Sequence, residues 1–124
     1  MWRDRRILDL FGINHPLLLA PMAGSAGSAL AVAVAKAGGL PALPCALLST
    51  DTMRAETGVI RQQAPGPINV NFFCHMPPEP DPAREQAWRA KIAALYGPIP
   101  HGPDAPLRRP FDEAACALVE DVRP

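Results

Sequence analysis

Side chains able to do chemistry are sparse in this 124-residue chain. Its three cysteines, Cys45, Cys74 and Cys116, are separated by wide gaps, and no CxxC pair is present. A zinc knuckle or a redox dithiol needs two closely spaced thiols on one centre, so neither is indicated and no metal ligand set is assigned. The expectation is three free, mostly buried thiols in a reducing compartment. What remains is three short segments of small and apolar residues with one amide among them. They are Ala20-Pro21-Met22-Ala23-Gly24, Pro44-Cys45-Ala46 and Asn71-Phe72-Phe73-Cys74-His75. Small residues let a flat aromatic ligand approach the backbone. Met22 can cover a ring face, or it can simply pack in a core. The Asn71 amide can both donate and accept toward a ligand, or it can serve a turn at a strand end. Such surroundings suit a flavin better than a metal or a phosphate ester.

These segments meet only if strands deliver them to one place. Leu17-Leu18-Leu19-Ala20 reads as a strand buried on both faces, ending at Pro21. A small-residue loop leads to a helix over 29–37, with Ser25 or Ser28 as its cap and Gly38-Gly39 as its end. Leu40 to Leu43 is a second strand, weakened by Pro41 and followed by Pro44. The spacing of these prolines removes one ladder donor from each edge, at about 1 kcal/mol apiece. A helix over 51–63 follows, with Ser49 or Thr50 as cap and Gly58 costing about 1 kcal/mol against alanine. Ile68 to Phe73, rich in β-branched and aromatic residues, is the third strand. Helices over 83–96 and 111–122 complete the chain. The first places Trp88, Ile92 and Leu95 on one face. The second repeats apolar residues at Phe111, Ala114, Ala115, Leu118, Val119 and Val122, an amphipathic pattern.

The order β-α-β-α-β-α-α implies an α/β fold with a parallel sheet, whose ligand lies at the carboxyl ends of the strands. Three parallel strands are few for that architecture. The expectation is therefore a partial domain over 1–124, the front of a larger protein, stopping before a fourth strand. Twelve of the sixteen prolines fall after residue 64. They concentrate in two Pro-rich loops, 76–82 and 97–110, neither of which can be a helix interior.

Composition narrows the function classes. Twelve basic residues balance twelve acidic ones, which argues against a general nucleic-acid binder. No apolar run reaches the roughly 18 residues of a membrane span. The basic start, Met1 to Arg6, lacks the apolar stretch that would make it a signal peptide. A soluble, cytoplasmic protein is expected, with no nucleic-acid or membrane partner. Open parallel-strand edges make self-association a further expectation.

The run His15-Pro16-Leu17-Leu18-Leu19-Ala20-Pro21-Met22-Ala23-Gly24 resembles the opening motif of nitronate monooxygenases, formerly called 2-nitropropane dioxygenases. Ala37-Gly38-Gly39-Leu40 and Ile68-Asn69-Val70-Asn71-Phe72-Phe73 resemble the next two landmarks, in order and at suitable spacing. Ala87-Trp88-Arg89 and Pro110-Phe111-Asp112-Glu113-Ala114 are similar to one bacterial branch. One departure is Pro41, where the family commonly has glycine.

The resemblance implies an FMN-binding TIM (β/α)₈ barrel, of which this chain supplies the N-terminal part, about three βα units. It implies that Ala20, Pro21 and Met22 lie against the isoalloxazine ring and that the Asn71 amide hydrogen-bonds to the flavin. The implied reaction oxidises an alkyl nitronate with O₂ to a carbonyl compound and nitrite. The family's active-site histidine lies on the next strand, past Pro124, so no catalytic residue is assigned here. His75 falls near the site face and reads as a loop or core histidine, while His15 and His101 lie elsewhere. Two alternatives remain. One is a flavin-dependent enoyl-acyl carrier protein reductase, whose barrel begins similarly. The other is a truncated, non-catalytic remnant or binding partner.

Overall fold

The computed structural model describes residues 2–76, 79–98, 100 and 110–124. The chain divides into two compact units, Met1–His75 with Arg108–Pro124, and Met76–Leu107. The first unit holds α1 (Arg6–Phe11), α2 (Ser28–Lys36), β1 (Ala42–Pro44), a 3-10 turn (Cys45–Leu47), α3 (Thr50–Gln63) and β2 (Asn69–Asn71). The second unit contains α4 (Pro82–Tyr96), and α5 (Glu113–Val122) returns to the first. Most of the 97–110 loop and part of 76–82 fall outside the described residues.

The fold class is α/β, and the pairing is parallel as expected. β1 and β2 run in register, Ala42 beside Asn69, Leu43 beside Val70 and Pro44 beside Asn71. The first expected strand is reduced to a single parallel bridge, Leu18 with Leu40. Leu40 donates to the Leu17 carbonyl (2.8 Å) and accepts from the Leu19 N–H (3.0 Å). Beyond the Ala42 N–H, continuing the ladder on that edge would need the Pro21 nitrogen to donate to Ala42 and the Pro44 nitrogen to donate to Pro21, and neither carries a hydrogen. These two prolines deprive the ladder of its donors, and the edge keeps one bridge.

On the opposite edge the Pro41 carbonyl accepts from the Asn69 N–H at 2.9 Å, so that proline sits at the first rung and loses nothing there. The expected third strand shortens from 68–73 to 69–71 for a related reason. After Pro44 the neighbour curls into the 3-10 turn, and the paired register ends at Asn71.

Helices α2, α3 and α5 cover one face of the sheet. The main core joins Ala31 and Val32 of α2, Leu43 of β1, Met53 and Ile60 of α3, and Leu118 and Val122 of α5. Thr57 is buried there with its hydroxyl satisfied by the Met53 carbonyl at 2.7 Å. A smaller cluster packs Leu8 of α1 on Ile13 and Leu40, and this short helix had no signal in the periodicity.

The helix ends follow local chemistry in three cases. Ser49 caps α3 by accepting from the Thr52 N–H, Asp81 caps α4 from Arg84, and Asp112 caps α5 from Ala115. The fourth corrects the sequence reading. The residue before α2 is Gly27, and neither Ser25 nor Ser28 caps it. The Ser28 N–H instead donates to Glu56 Oε2 of α3 at 2.8 Å.

In the second unit α4 buries none of its side chains. Trp88, Ile92 and Leu95 are all exposed, with Lys91 Nζ 5.2 Å from the Trp88 ring centre and Arg89 paired to Glu85 at 2.8 Å.

Two glycines after α2 are fixed by sterics. Gly38 has φ +86°, a left-handed conformation that ends the helix. At Gly39 a Cβ would stand 2.8 Å from the Leu17 carbonyl oxygen, a backbone atom that cannot turn aside. Gly39→Ala is expected to cost about 1–3 kcal/mol, read as a lowered urea midpoint. Gly58, inside α3 with nothing within 4 Å of its missing Cβ, is the contrasting site. There Gly58→Ala should gain up to about 1 kcal/mol from helix propensity. Equal effects at the two positions would show that the Gly39 contact does not constrain the fold.

Candidate functional site

Parallel pairing sends the carboxyl ends of all three extended segments to the same rim. Ala20-Pro21-Met22 leaves the bridge at Leu18, Pro44 ends β1, and Asn71 ends β2. Side chains alternate along a strand, so Leu43 and Val70 face the helices. Ala42, Asn69, Pro44 and Asn71 then face away from them. Two inter-strand spacings separate the Ala20–Met22 segment from Asn71, about 10 Å.

The four sequence-predicted residues differ in accessibility. Ala20 and Met22 are exposed, Met22 to 43%, while Pro21 and Asn71 are half-buried. The Asn71 side chain makes no hydrogen bond among the described residues, leaving its donors and acceptor free at the rim. Met22 is not core-packed; its carbonyl accepts from the Ser25 and Ala26 N–H groups at 3.1 and 2.8 Å, closing a tight turn. The rim thus offers small and apolar surface on one side and a free amide on the other. That combination fits the planar, partly polar ligand expected from the sequence.

Below the rim, Phe72 meets Phe111 edge to face at 4.9 Å, and the Phe111 N–H donates to the Phe73 carbonyl at 2.7 Å. These contacts tie the segment beyond Asn71 to the start of α5. His75 is exposed, with its ring centre 5.9 Å from that of Phe73. Among the described residues no group of three or more His, Cys, Asp or Glu side chains could hold a metal ion.

A model of the nitronate monooxygenase family matches residues 4–101. The chain belongs to the nitronate monooxygenase family. It is 39% identical over 103 residues to the nitronate monooxygenase of Pseudomonas aeruginosa, covering 83% of this chain and 29% of that protein. It is 39% identical over 125 residues to the nitronate monooxygenase of Paraburkholderia phytofirmans, covering 97% of this chain and 34% of that one. The chain therefore spans about a third of the length of these relatives.

Among solved structures, nitroalkane oxidase from Streptomyces ansochromogenes superposes with a TM-score of 0.65 at 30% identity, over 93% of this chain and 33% of that one. FabK from Thermotoga maritima gives 0.54 at 35% identity, over 58% and 23%. The nitronate monooxygenase match takes in the Ala20–Met22 segment and Asn71.

The cysteines correct one expectation. All three are free, but only Cys45 is buried; Cys74 and Cys116 are exposed. Burial pushes the Cys45 thiol up to about 11, partly offset by a backbone hydrogen bond from Asn71. A thiol reagent at neutral pH should modify Cys74 and Cys116 in the native chain, and Cys45 only after denaturant is added. Because folding raises the Cys45 pKa, its contribution to stability is complete below 9.0 and lost as pH climbs through about 11. Rapid labelling of three thiols in the native chain would contradict both statements.

Proposed function

We propose that this chain forms one wall of an FMN site in a nitronate-oxidising TIM barrel, supplying about three of its βα units. The observation that carries the reading is the rim itself. Parallel pairing brings Ala20, Pro21 and Met22 to the same end of the sheet as the free amide of Asn71. The names of the curated relatives favour nitronate oxidation over the enoyl-acyl carrier protein reductase alternative.

Bound FMN would supply the redox chemistry by which an alkyl nitronate and O₂ yield a carbonyl compound and nitrite. The residues of this chain bind and orient. The Ala20-Pro21-Met22 backbone lies against the ring, because small side chains and a proline let it approach closely. The Asn71 amide fixes the ring edge, donating and accepting as the facing atom requires. The exposed Met22 side chain shields one side of the ring from water. By the family resemblance the reactive histidine belongs to a further strand of the barrel, and the residues named here bind and orient the ring. A cytoplasmic setting, with nitronate and O₂ as the small-molecule partners, belongs to the same reading.

Titration of the chain with FMN, followed by quenching of flavin fluorescence, should show weak saturable binding. Asn71→Ala should weaken it by about 1–2 kcal/mol, the value of a hydrogen bond to a half-buried amide. Oxygen uptake with an alkyl nitronate should stay at background for the chain alone. Robust uptake would overturn the division of labour proposed here, and unchanged FMN binding in Asn71→Ala would remove that residue from the site.

A further inference from the structure

The loop that carries Pro21 and Met22 is held at its far end by a carboxylate from another helix. The Met22 carbonyl closes the turn onto Ser25 and Ala26, and Gly27 then leads into α2. There the Ser28 N–H donates to Glu56 Oε2 at 2.8 Å, with both residues half-buried. Glu56 stands on α3, whose buried face of Met53, Thr57 and Ile60 is locked into the core. A carboxylate on a free first-turn amide also gains from the positive end of the helix dipole.

The carboxylate also lies in ordinary contact with the residue before α2. A Cβ added at Gly27 would lie 3.7 Å from the same oxygen. The loop is thus anchored at both ends. The Leu19 N–H to Leu40 bond fixes its entry, and the Glu56 bond fixes its exit. Nothing within the loop itself supplies the exit anchor, since α2 lacks a side-chain cap.

We infer that Glu56 is a positioning residue for the flavin-facing Pro21–Met22 segment, holding the loop through the amino end of α2 from outside the ligand site. The inference rests on the FMN reading above for its consequence, and on the Glu56–Ser28 bond for its cause. Removing the carboxylate frees the α2 terminus and lets the Met22–Gly27 turn shift. The ring-facing backbone then loses its fixed position without any change in the residues that touch the ring.

Three variants test this in the full 124-residue chain. Glu56→Ala removes the acceptor, Glu56→Gln keeps an oxygen acceptor without the charge, and Leu118→Ala lowers core stability at a distance from the loop. Amide hydrogen exchange at Ser25, Ala26 and Ser28, measured well below each melting temperature, should quicken in Glu56→Ala. It should stay near the unsubstituted rate in Glu56→Gln and Leu118→Ala. FMN affinity should fall about fivefold in Glu56→Ala and recover to within about twofold in Glu56→Gln, in line with one charge-assisted hydrogen bond.

Affinity and exchange that instead track melting temperature across all three variants would overturn the proposal, because Glu56 would then act only through global stability. If the unsubstituted chain binds no FMN, the flavin reading falls and the proposed consequence for the ring falls with it. The exchange rates still decide whether Glu56 holds the loop.

Discussion

A single stretch of backbone, residues 38–44, carries the pairing of everything around it. The Gly38 carbonyl accepts from the N–H groups of Asn14 and His15, at 2.8 and 2.9 Å. Leu40 exchanges two bonds with Leu17 and Leu19, and Pro41 accepts from Asn69 on the other side. An extended residue turns its N–H and C=O to one edge, and the next residue turns to the other. Seven residues can therefore bind two neighbours at once, and the bonds they make run both neighbours parallel to them. Gly39 makes the arrangement feasible, because any side chain there would strike the Leu17 carbonyl. The common rim follows from this constraint: once both neighbours are parallel to the same stretch, their carboxyl ends point to the same end of the sheet.

Helix α3 plays the corresponding role in the outer layer. Its buried residues meet α2 on one side and α5 on the other through the shared core. Its polar residues reach the ends of both neighbours. Glu56 meets the amino end of α2, while Arg61 donates to the Val122 and Arg123 carbonyls at the carboxyl end of α5. Both placements complement the helix dipoles, negative at an amino end and positive at a carboxyl end. Arg54 pairs with Asp121 and holds that carboxyl below its ordinary range. That pair is exposed and screened, so it adds little beside the half-buried Glu56 contact. The interactions that matter most for the rim are those that satisfy a backbone group no local residue reaches.

The difference between local and distant partners explains what could be read from the sequence. Helices α3, α4 and α5 were legible within a few residues, because apolar periodicity and the Ser49 cap are local signals, although Asp112 proves to cap α5 where the sequence reading set it in the first turn. The parallel α/β class was legible for the same reason, as an alternation of short apolar runs and helices. The rim residues Ala20, Pro21, Met22 and Asn71 were legible as small and amide-bearing residues at the ends of those runs. The cap of α2 was not, since Glu56 lies 28 residues from Ser28 and nothing in its neighbourhood marks it. Cys74 and Cys116 misled because burial habits describe cysteines on average, whereas these two fall on exposed positions. The length of the first strand was overestimated because apolar run length measures burial. Whether a ladder can be built depends on which residues face each other across the gap.

The prolines that shorten the sheet also shape the end where the proposed flavin site lies. Pro21 and Pro44 hold the nitrogens that a longer ladder would need as donors, and neither carries a hydrogen. The two segments are free to diverge from there, one into the Met22 turn and the other into the 3-10 turn at Cys45. Divergence exposes backbone and small side chains that a continued ladder would have covered. On the opposite side of β1 the pairing persists as far as Asn71, so the amide is held firmly while the apolar segment stands open. A flat ligand needs both conditions: an accessible surface to lie against and a rigid polar group to set its rotation. Asymmetric termination of the ladder gives both from one strand, because the edge toward Pro21 ends early while the edge toward Asn71 continues.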